Sequence, residues 1–266
     1  LWCEPADERD LAAILSYCHT HGTPLTVLGR GSNVLVRDGG IRGVVLSLGS
    51  EYFQRVSIHG TRVDAGAGVR LGALVAAARK AGLGGIEFME GIPASVGGAL
   101  RMNAGAMGGW TFERVRSVRV AEMDGTIHDR PTDEFGAQYR EVPGMVGRIA
   151  LGASFELLPA KEEQIATTLK EYSGKRWTSQ PAMPSAGCIF KNPESCPAGK
   201  LVDELGLKNR RRGGARVSVE HGNFIVNDGG ATAADVLGLI AEVQAEVRAQ
   251  RGVEMETEVI ILGDNE

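Results

Sequence analysis

Val115-Arg116-Ser117-Val118-Arg119-Val120-Ala121-Glu122-Met123-Asp124-Gly125-Thr126-Ile127-His128-Asp129 decides the fold class. Two runs of strand length flank Asp124-Gly125, a pair that accepts the positive φ of a tight hairpin turn. A second hairpin is expected where 56–58 and 62–65 flank His59-Gly60. Strands that arrive in hairpins, rather than alternating with helices, indicate an α+β chain and argue against a doubly wound parallel sheet.

Outward from that stretch, residues 7–21 read as a helix. Asp7 is its cap, and Leu11, Ile14, Leu15 and Cys18 form one apolar stripe. Short strands are expected at 25–28, 34–36 and 44–46, with Asp38-Gly39-Gly40 as a turn between the last two. An Ala-rich helix covers 71–81 and stops at Gly82. After the hairpin comes a strand at 149–158. Pro159 then marks a change of character, with a charged helix over 161–176. A short helix at 199–205, a strand at 223–227, a long helix over 232–251 and a closing strand at 258–262 complete the chain. Val236, Leu239, Ile240, Val243 and Val247 line one face of the long helix. The expected division is 1–50, 51–158 and 159–266.

The 266 residues suffice for two or three lobes, and 43% apolar with 23% charged residues is a globular composition. A net charge of −4 disfavours a general nucleic-acid surface. No apolar run reaches the ~18 residues a membrane span needs. The four cysteines form no Cys-x-x-Cys pair and no metal-ligand spacing with the five histidines, so reduced thiols in the cytoplasm and no metal are expected. The chain opens at Leu1-Trp2-Cys3 without Met, which fits a piece of a longer, fused polypeptide.

Two stretches are unusually poor in side chains. Gly29-Arg30-Gly31-Ser32-Asn33 lets several N–H groups turn toward one anion, and read alone it is equally a plain strand-to-strand turn. Gly91-Ile92-Pro93-Ala94-Ser95-Val96-Gly97-Gly98, continued by the small residues of Asn103-Ala104-Gly105-Ala106, brings backbone close to something flat or phosphorylated. Together they read as a cradle for a phosphate-bearing cofactor. Neither has the G-x-G-x-x-G spacing of a Rossmann site. Downstream, Ser185-Ala186-Gly187-Cys188-Ile189-Phe190-Lys191-Asn192-Pro193 sets a thiol in a glycine-tight turn beside a cation and an amide. A thiol alone is more often a small buried hydrophobe.

These stretches, with Tyr139-Arg140 and Glu256-Thr257-Glu258-Val259, occur in one order along nearly the whole chain. The chain resembles the UDP-N-acetylenolpyruvoylglucosamine reductase family, which makes UDP-N-acetylmuramate for peptidoglycan. The resemblance implies a two-lobed FAD-binding region of the vanillyl-alcohol-oxidase type plus an α+β substrate-binding lobe. It implies non-covalent FAD, NADPH as reductant and a UDP-sugar substrate; a monomer with no nucleic-acid or membrane partner is also expected.

The resemblance also implies roles. Arg140, Cys188 and Glu258 match the family's catalytic positions. Gly29, Arg30, Gly31, Ser32, Asn33, Gly91, Ile92, Ser95, Gly97, Gly98, Asn103 and Gly105 fall in cofactor-binding stretches. Tyr139, Arg176, Gln180, Lys191 and Asn192 are expected at the substrate. The family's usual proton donor is a serine where this chain has Cys188, and a thiol is the stronger acid, with a reference pKa of about 8.5. The short connection from Arg140 to the helix at 161 resembles the shorter type, which lacks a tyrosine-bearing loop. The Arg210-Arg211-Arg212 run reads mainly as a solvent-facing loop, with a nucleotide clamp as the lesser reading. His221 receives no role. Two other functions compete: a flavin-dependent oxidase or dehydrogenase of the same superfamily, and a non-catalytic flavoprotein module.

Overall fold

The computed structural model describes residues 1–265. In chain order the elements are β1 (Trp2–Cys3), α1 (Glu8–His21), β2 (Leu25–Val27), β3 (Val34–Val36), β4 (Val44–Leu46), β5 (Val56–His59), β6 (Arg62–Gly66), α2 (Leu71–Lys80), β7 (Leu83–Gly84) and α3 (Val96–Met102). Then follow β8 (Gly105–Ala106), β9 (Gly109–Trp110), β10 (Val115–Glu122), β11 (Ile127–Pro131), β12 (Arg148–Glu156), β13 (Leu158–Pro159) and α4 (Glu162–Ser179). The chain closes with β14 (Ser185–Cys188), α5 (Ala198–Glu204), β15 (Arg211–Arg212), β16 (Ala215–Val217), β17 (Phe224–Asn227), α6 (Ala233–Arg251) and β18 (Ile260–Leu262). This is the expected α+β class.

The chain forms two compact units, 1–30 with 43–174 and 31–42 with 175–266. This is a different division from the expected 1–50, 51–158 and 159–266. Two physical causes account for it. Residues 31–42 join the second unit because β3 pairs in parallel with β18, Val34 opposite Ile260 and Val36 opposite Leu262. The Asp38 carboxylate also accepts the N–H groups of Ala233 (2.8 Å) and Ala234 (3.0 Å) in the first turn of α6. Most of α4 joins the first unit because Leu169 and Tyr172, on one helical face, pack on its core, and Ile165 is buried on the same face beside Gly84.

In the first unit a five-stranded antiparallel sheet runs β11-β10-β12-β6-β5, and a parallel sheet runs β1-β4-β2. The central strand β12 is buried from Ile149 to Phe155, as a strand covered on both faces must be. The β10–β11 hairpin forms as read, with a three-residue loop. Met123 falls outside β10, and Gly125 takes the left-handed conformation (φ 92°) of a loop ending in a G1 bulge. Asp7 caps α1 as expected, accepting from Arg9 and Asp10 N–H. The helix is tied to the sheet by Arg119, whose guanidinium grips Glu8 at 2.7 and 2.8 Å and is held more basic than usual by that pair.

The second unit has the antiparallel sheet β14-β17-β16-β15, packed by α5 and α6 over Phe190, Val217, Ile225, Leu239 and Val243. Thr232 and Asp235 form a reciprocal capping box at the start of α6. Two expectations shift here. The thiol lies at the end of a strand rather than in a free turn, and the closing strand begins at Ile260, two residues after Glu258. No helix among the described residues is long and apolar enough to cross a membrane.

Candidate active site

In the first unit the two glycine loops meet. Arg30 Nε donates to the Pro93 carbonyl at 3.2 Å, and a Cβ on Gly29 would stand 3.2 Å from Ser95 Oγ. The loops differ in what they leave free. In the second loop the N–H groups of Ile92, Ala94, Val96, Gly97 and Gly98 are already bonded within the protein, Gly97 to the Ala67 carbonyl at 2.8 Å. In the first loop the backbone N–H groups of 29–33 reach no acceptor among the described residues. Unspent N–H groups on a glycine-rich turn suit a phosphate, and this is the feature that fits the FAD expected from the sequence. The chain passes from one unit to the other inside this loop, between Arg30 and Gly31.

Several residues of the second stretch also have packing reasons for what they are. Gly105 is small because Trp110 lies on it: a Cβ there would fall 2.4 Å from the indole. Gly97 packs on Ala67. Asn103 is 6% exposed, and its carboxamide is engaged at both ends, donating to the Gln138 carbonyl at 3.0 Å and accepting from Phe112 N–H at 3.1 Å.

Arg140 stands at the second central position of a tight turn bridged between Gln138 and Glu141, with φ 56°. That is where a type II turn normally takes Gly or Asn. Its guanidinium lies 5.3 Å from the Tyr139 ring centroid and 5.5 Å from that of Trp110, and Nη2 donates to the Gly105 carbonyl at 3.1 Å. Trp110 and Tyr139 pack edge to face at 5.6 Å. A cation seated on two ring faces keeps its charge while its reach is fixed.

In the second unit Cys188 and Glu258 lie on adjoining segments. Glu258 N–H donates to the carbonyl of Ile189 at 2.7 Å, Phe190 bridges Thr257, and Lys191 N–H donates to the Glu256 carbonyl at 2.9 Å. Both side chains are half-buried. Gly187 takes φ 76° at an irregularity between β14 and β17, which turns the chain just before the thiol. Asn33 belongs to the same junction, its Nδ2 donating to the Glu258 carbonyl at 3.0 Å.

The expected substrate residues are held in different ways. Lys191 Nζ is paired with Glu256 at 2.5 Å. Asn192 Oδ1 accepts Ala198 N–H at 3.0 Å, at the start of α5. Arg176 and Gln180 bond to each other one turn apart, at 3.4 Å. Tyr139 is partly exposed beside Arg140. The arginine run is laced to carboxylates: Arg210 and Arg212 to Glu242, and Arg211 to Asp228.

Sequence reasoning missed Trp110 and Asn223, and it gave no role to His221. Asn223 is buried and bonds both backbone groups of Phe190. His221 Nδ1 accepts Asn223 N–H at 3.1 Å, and burial holds its pKa below the usual value. A signal existed for the last two in the compact Glu220-His221-Gly222-Asn223 stretch. None existed for Trp110, which the sequence leaves as an ordinary aromatic.

Among known proteins, the profile described as "FAD binding domain" matches residues 1–130, and that described as "UDP-N-acetylenolpyruvoylglucosamine reductase, C-terminal domain" matches 180–262. The chain is 46% identical over 261 residues to the UDP-N-acetylenolpyruvoylglucosamine reductase of Geobacter metallireducens, covering 98% of this chain and 86% of that one. It is 44% identical over 268 residues to the enzyme of the same name from Heliobacterium modesticaldum, covering 100% and 85%. The crystal structure of UDP-N-acetylenolpyruvylglucosamine reductase from Thermus caldophilus superposes with a TM-score of 0.85 at 38% identity, over 98% of this chain and 91% of that one. The glycine loops, the seated arginine, the strand-end thiol and these matches lead to one assignment: the chain belongs to the UDP-N-acetylenolpyruvoylglucosamine reductase family.

Proposed function

We propose that Arg140, Cys188 and Glu258 divide the work of reducing the enolpyruvyl group of UDP-N-acetylglucosamine enolpyruvate to UDP-N-acetylmuramate, a peptidoglycan precursor. The chain is an FAD-dependent oxidoreductase of its family. When bound, FAD would supply the hydride for the β-carbon of the enolpyruvyl group, with NADPH as its reductant. The residues of this chain then manage the charge and proton that the hydride leaves behind.

Hydride arrival at the β-carbon puts negative charge on the α-carbon and its carboxylate, an enolate. Arg140 binds that carboxylate through forked N–H donors. Cys188 gives its thiol proton to the α-carbon, which completes the lactyl ether, and the sulfur recovers a proton from water. Glu258 is assigned to stabilise or protonate the intermediate, a role that requires it to donate a carboxyl O–H. The Glu258 N–H to Ile189 carbonyl bond of 2.7 Å carries this reading, since it ties the acid segment to the residue next to the thiol. Gly29, Arg30, Gly31, Ser32 and Asn33, with Gly91, Ile92, Ser95, Gly97 and Gly98, are assigned to the cofactor's contact surface. Tyr139, Arg176, Gln180, Lys191 and Asn192 are assigned to the nucleotide-sugar. The reactants are cytoplasmic metabolites, and we place the enzyme there.

The test is spectroscopic. NADPH should bleach the yellow protein, and the enolpyruvyl sugar nucleotide should restore the colour. Cys188→Ala should bleach normally and recover colour slowly. Recovery at the wild-type rate in that variant would remove Cys188 from the chemistry.

A further inference from the structure

Arg140 pays a backbone cost to sit where it does. A left-handed φ of 56° disfavours an L side chain by about 1–2 kcal/mol, so the surroundings must hold the turn. The ladder across it is uneven: Gln138 N–H reaches the Glu141 carbonyl at 2.8 Å, but the return bond to the Gln138 carbonyl is 3.4 Å. Asn103 supplies a better partner to that same carbonyl, its Nδ2 lying 3.0 Å away. The carboxamide is itself fixed from behind by Phe112 N–H at 3.1 Å. Asn103 is also left-handed (φ 41°), as the cap of α3. The backbone that follows it reaches Gly105, whose carbonyl accepts from Arg140 Nη2.

We propose that Asn103 is a positioning residue for Arg140, not a ligand of the cofactor. One buried carboxamide braces the turn through the Gln138 carbonyl, and its chain places the Gly105 carbonyl that orients the guanidinium. One N–H and one lone pair of the carboxamide are held by backbone, and the residue is only 6% exposed, which argues against its serving as a cofactor ligand. A misplaced guanidinium still carries its charge but loses alignment with the substrate carboxylate, and a shift of about 1 Å can cost up to a hundredfold in rate. The inference rests on the proposed role of Arg140.

Asn103→Asp keeps the acceptor for Phe112 and loses the donor to Gln138. Asn103→Gly tolerates the left-handed backbone and removes the carboxamide entirely. Both should keep flavin at wild-type stoichiometry and keep flavin reduction by NADPH within about threefold. Both should slow reoxidation by the enolpyruvyl sugar nucleotide by roughly 10- to 100-fold at saturating substrate. Combined with Arg140→Lys, either should add little to the loss that Arg140→Lys causes alone, because the two residues serve one function. Loss of flavin from both variants overturns the proposal and returns Asn103 to the cofactor. Multiplicative losses in the double variants, with Arg140→Lys itself slow, overturn the positioning role alone. An Arg140→Lys variant that reoxidises at the wild-type rate overturns the reading of Arg140 as well.

Discussion

Asn223 holds the backbone of Phe190 by both of its polar groups: Nδ2 donates to the carbonyl and Oδ1 accepts from the N–H, each at 2.8 Å. In effect the side chain acts as a short extra strand, two residues from the thiol. Its own carbonyl accepts Ile189 N–H at 2.9 Å. Asn223→Ala leaves two buried backbone groups without partners, at about 1–3 kcal/mol each. Thermal unfolding should fall by several degrees, at roughly 2–4 °C per kcal/mol for a chain of this size. A melting temperature within a degree of wild type would show that the junction repacks without it.

Cys188→Ser should retain substantial turnover, because the hydroxyl can occupy the thiol's place at the end of β14. Cys188→Ala should slow reoxidation of reduced flavin by about 10²- to 10⁴-fold, the range of a lost proton donor. Stopped-flow measurement of each half-reaction checks this. Equal losses in both half-reactions would contradict a proton-donor role.

Arg140→Lys keeps the charge and loses both the fork and the broad guanidinium contact with the Trp110 and Tyr139 rings. Reoxidation should slow by roughly 10²- to 10³-fold, as when one oriented donor to a developing anion is removed. Trp110→Leu should produce a milder loss in the same half-reaction, since the ring acts only as a support 5.5 Å from the Arg140 guanidinium. Single-turnover rates for both variants test the order of the effects.

His221 is held below its usual pKa by burial, with Lys208 adding to the effect. A neutral ring in the folded state means that the unfolded chain takes up the proton first as pH falls. Stability from this group is therefore complete above about pH 6.5 and declines as pH drops from there through the folded pKa. His221→Gln should flatten the fall in melting temperature between about pH 7.5 and 5.5. An unchanged slope would assign the acid sensitivity to other groups.

The arginine run should be silent in catalysis. Glu242 and Asp228 hold the three guanidinium groups in pairs whose arginine side chains are about half exposed. Single alanine substitutions at Arg210, Arg211 and Arg212 should each change stability by about 1 kcal/mol or less. The KM for the nucleotide-sugar should not move. A severalfold rise in KM for any of the three would make that arginine a phosphate contact.

Local chemistry made much of this protein readable before any fold was known. Hairpin spacing around Asp124-Gly125, the Asp7 cap, the apolar stripes of α1 and α6 and the glycine loops are each set by neighbours a few residues apart. Such signals survive in a linear text because turns, caps and helix faces obey short-range geometry. The order of the family motifs likewise raised the expectation that Cys188 is a proton donor. What tertiary structure alone decided depends on partners far along the chain. Asp38 read as a turn residue and caps a helix 195 positions away. Residues 31–42 left the unit that surrounds them in sequence because β3 found β18. Asn103 bonds the Gln138 carbonyl 35 positions away, and the Arg140 guanidinium lies over the Trp110 ring. Such long-range pairings are selected by the burial and hydrogen-bond demands of the whole fold, and no stretch of sequence carries them by itself.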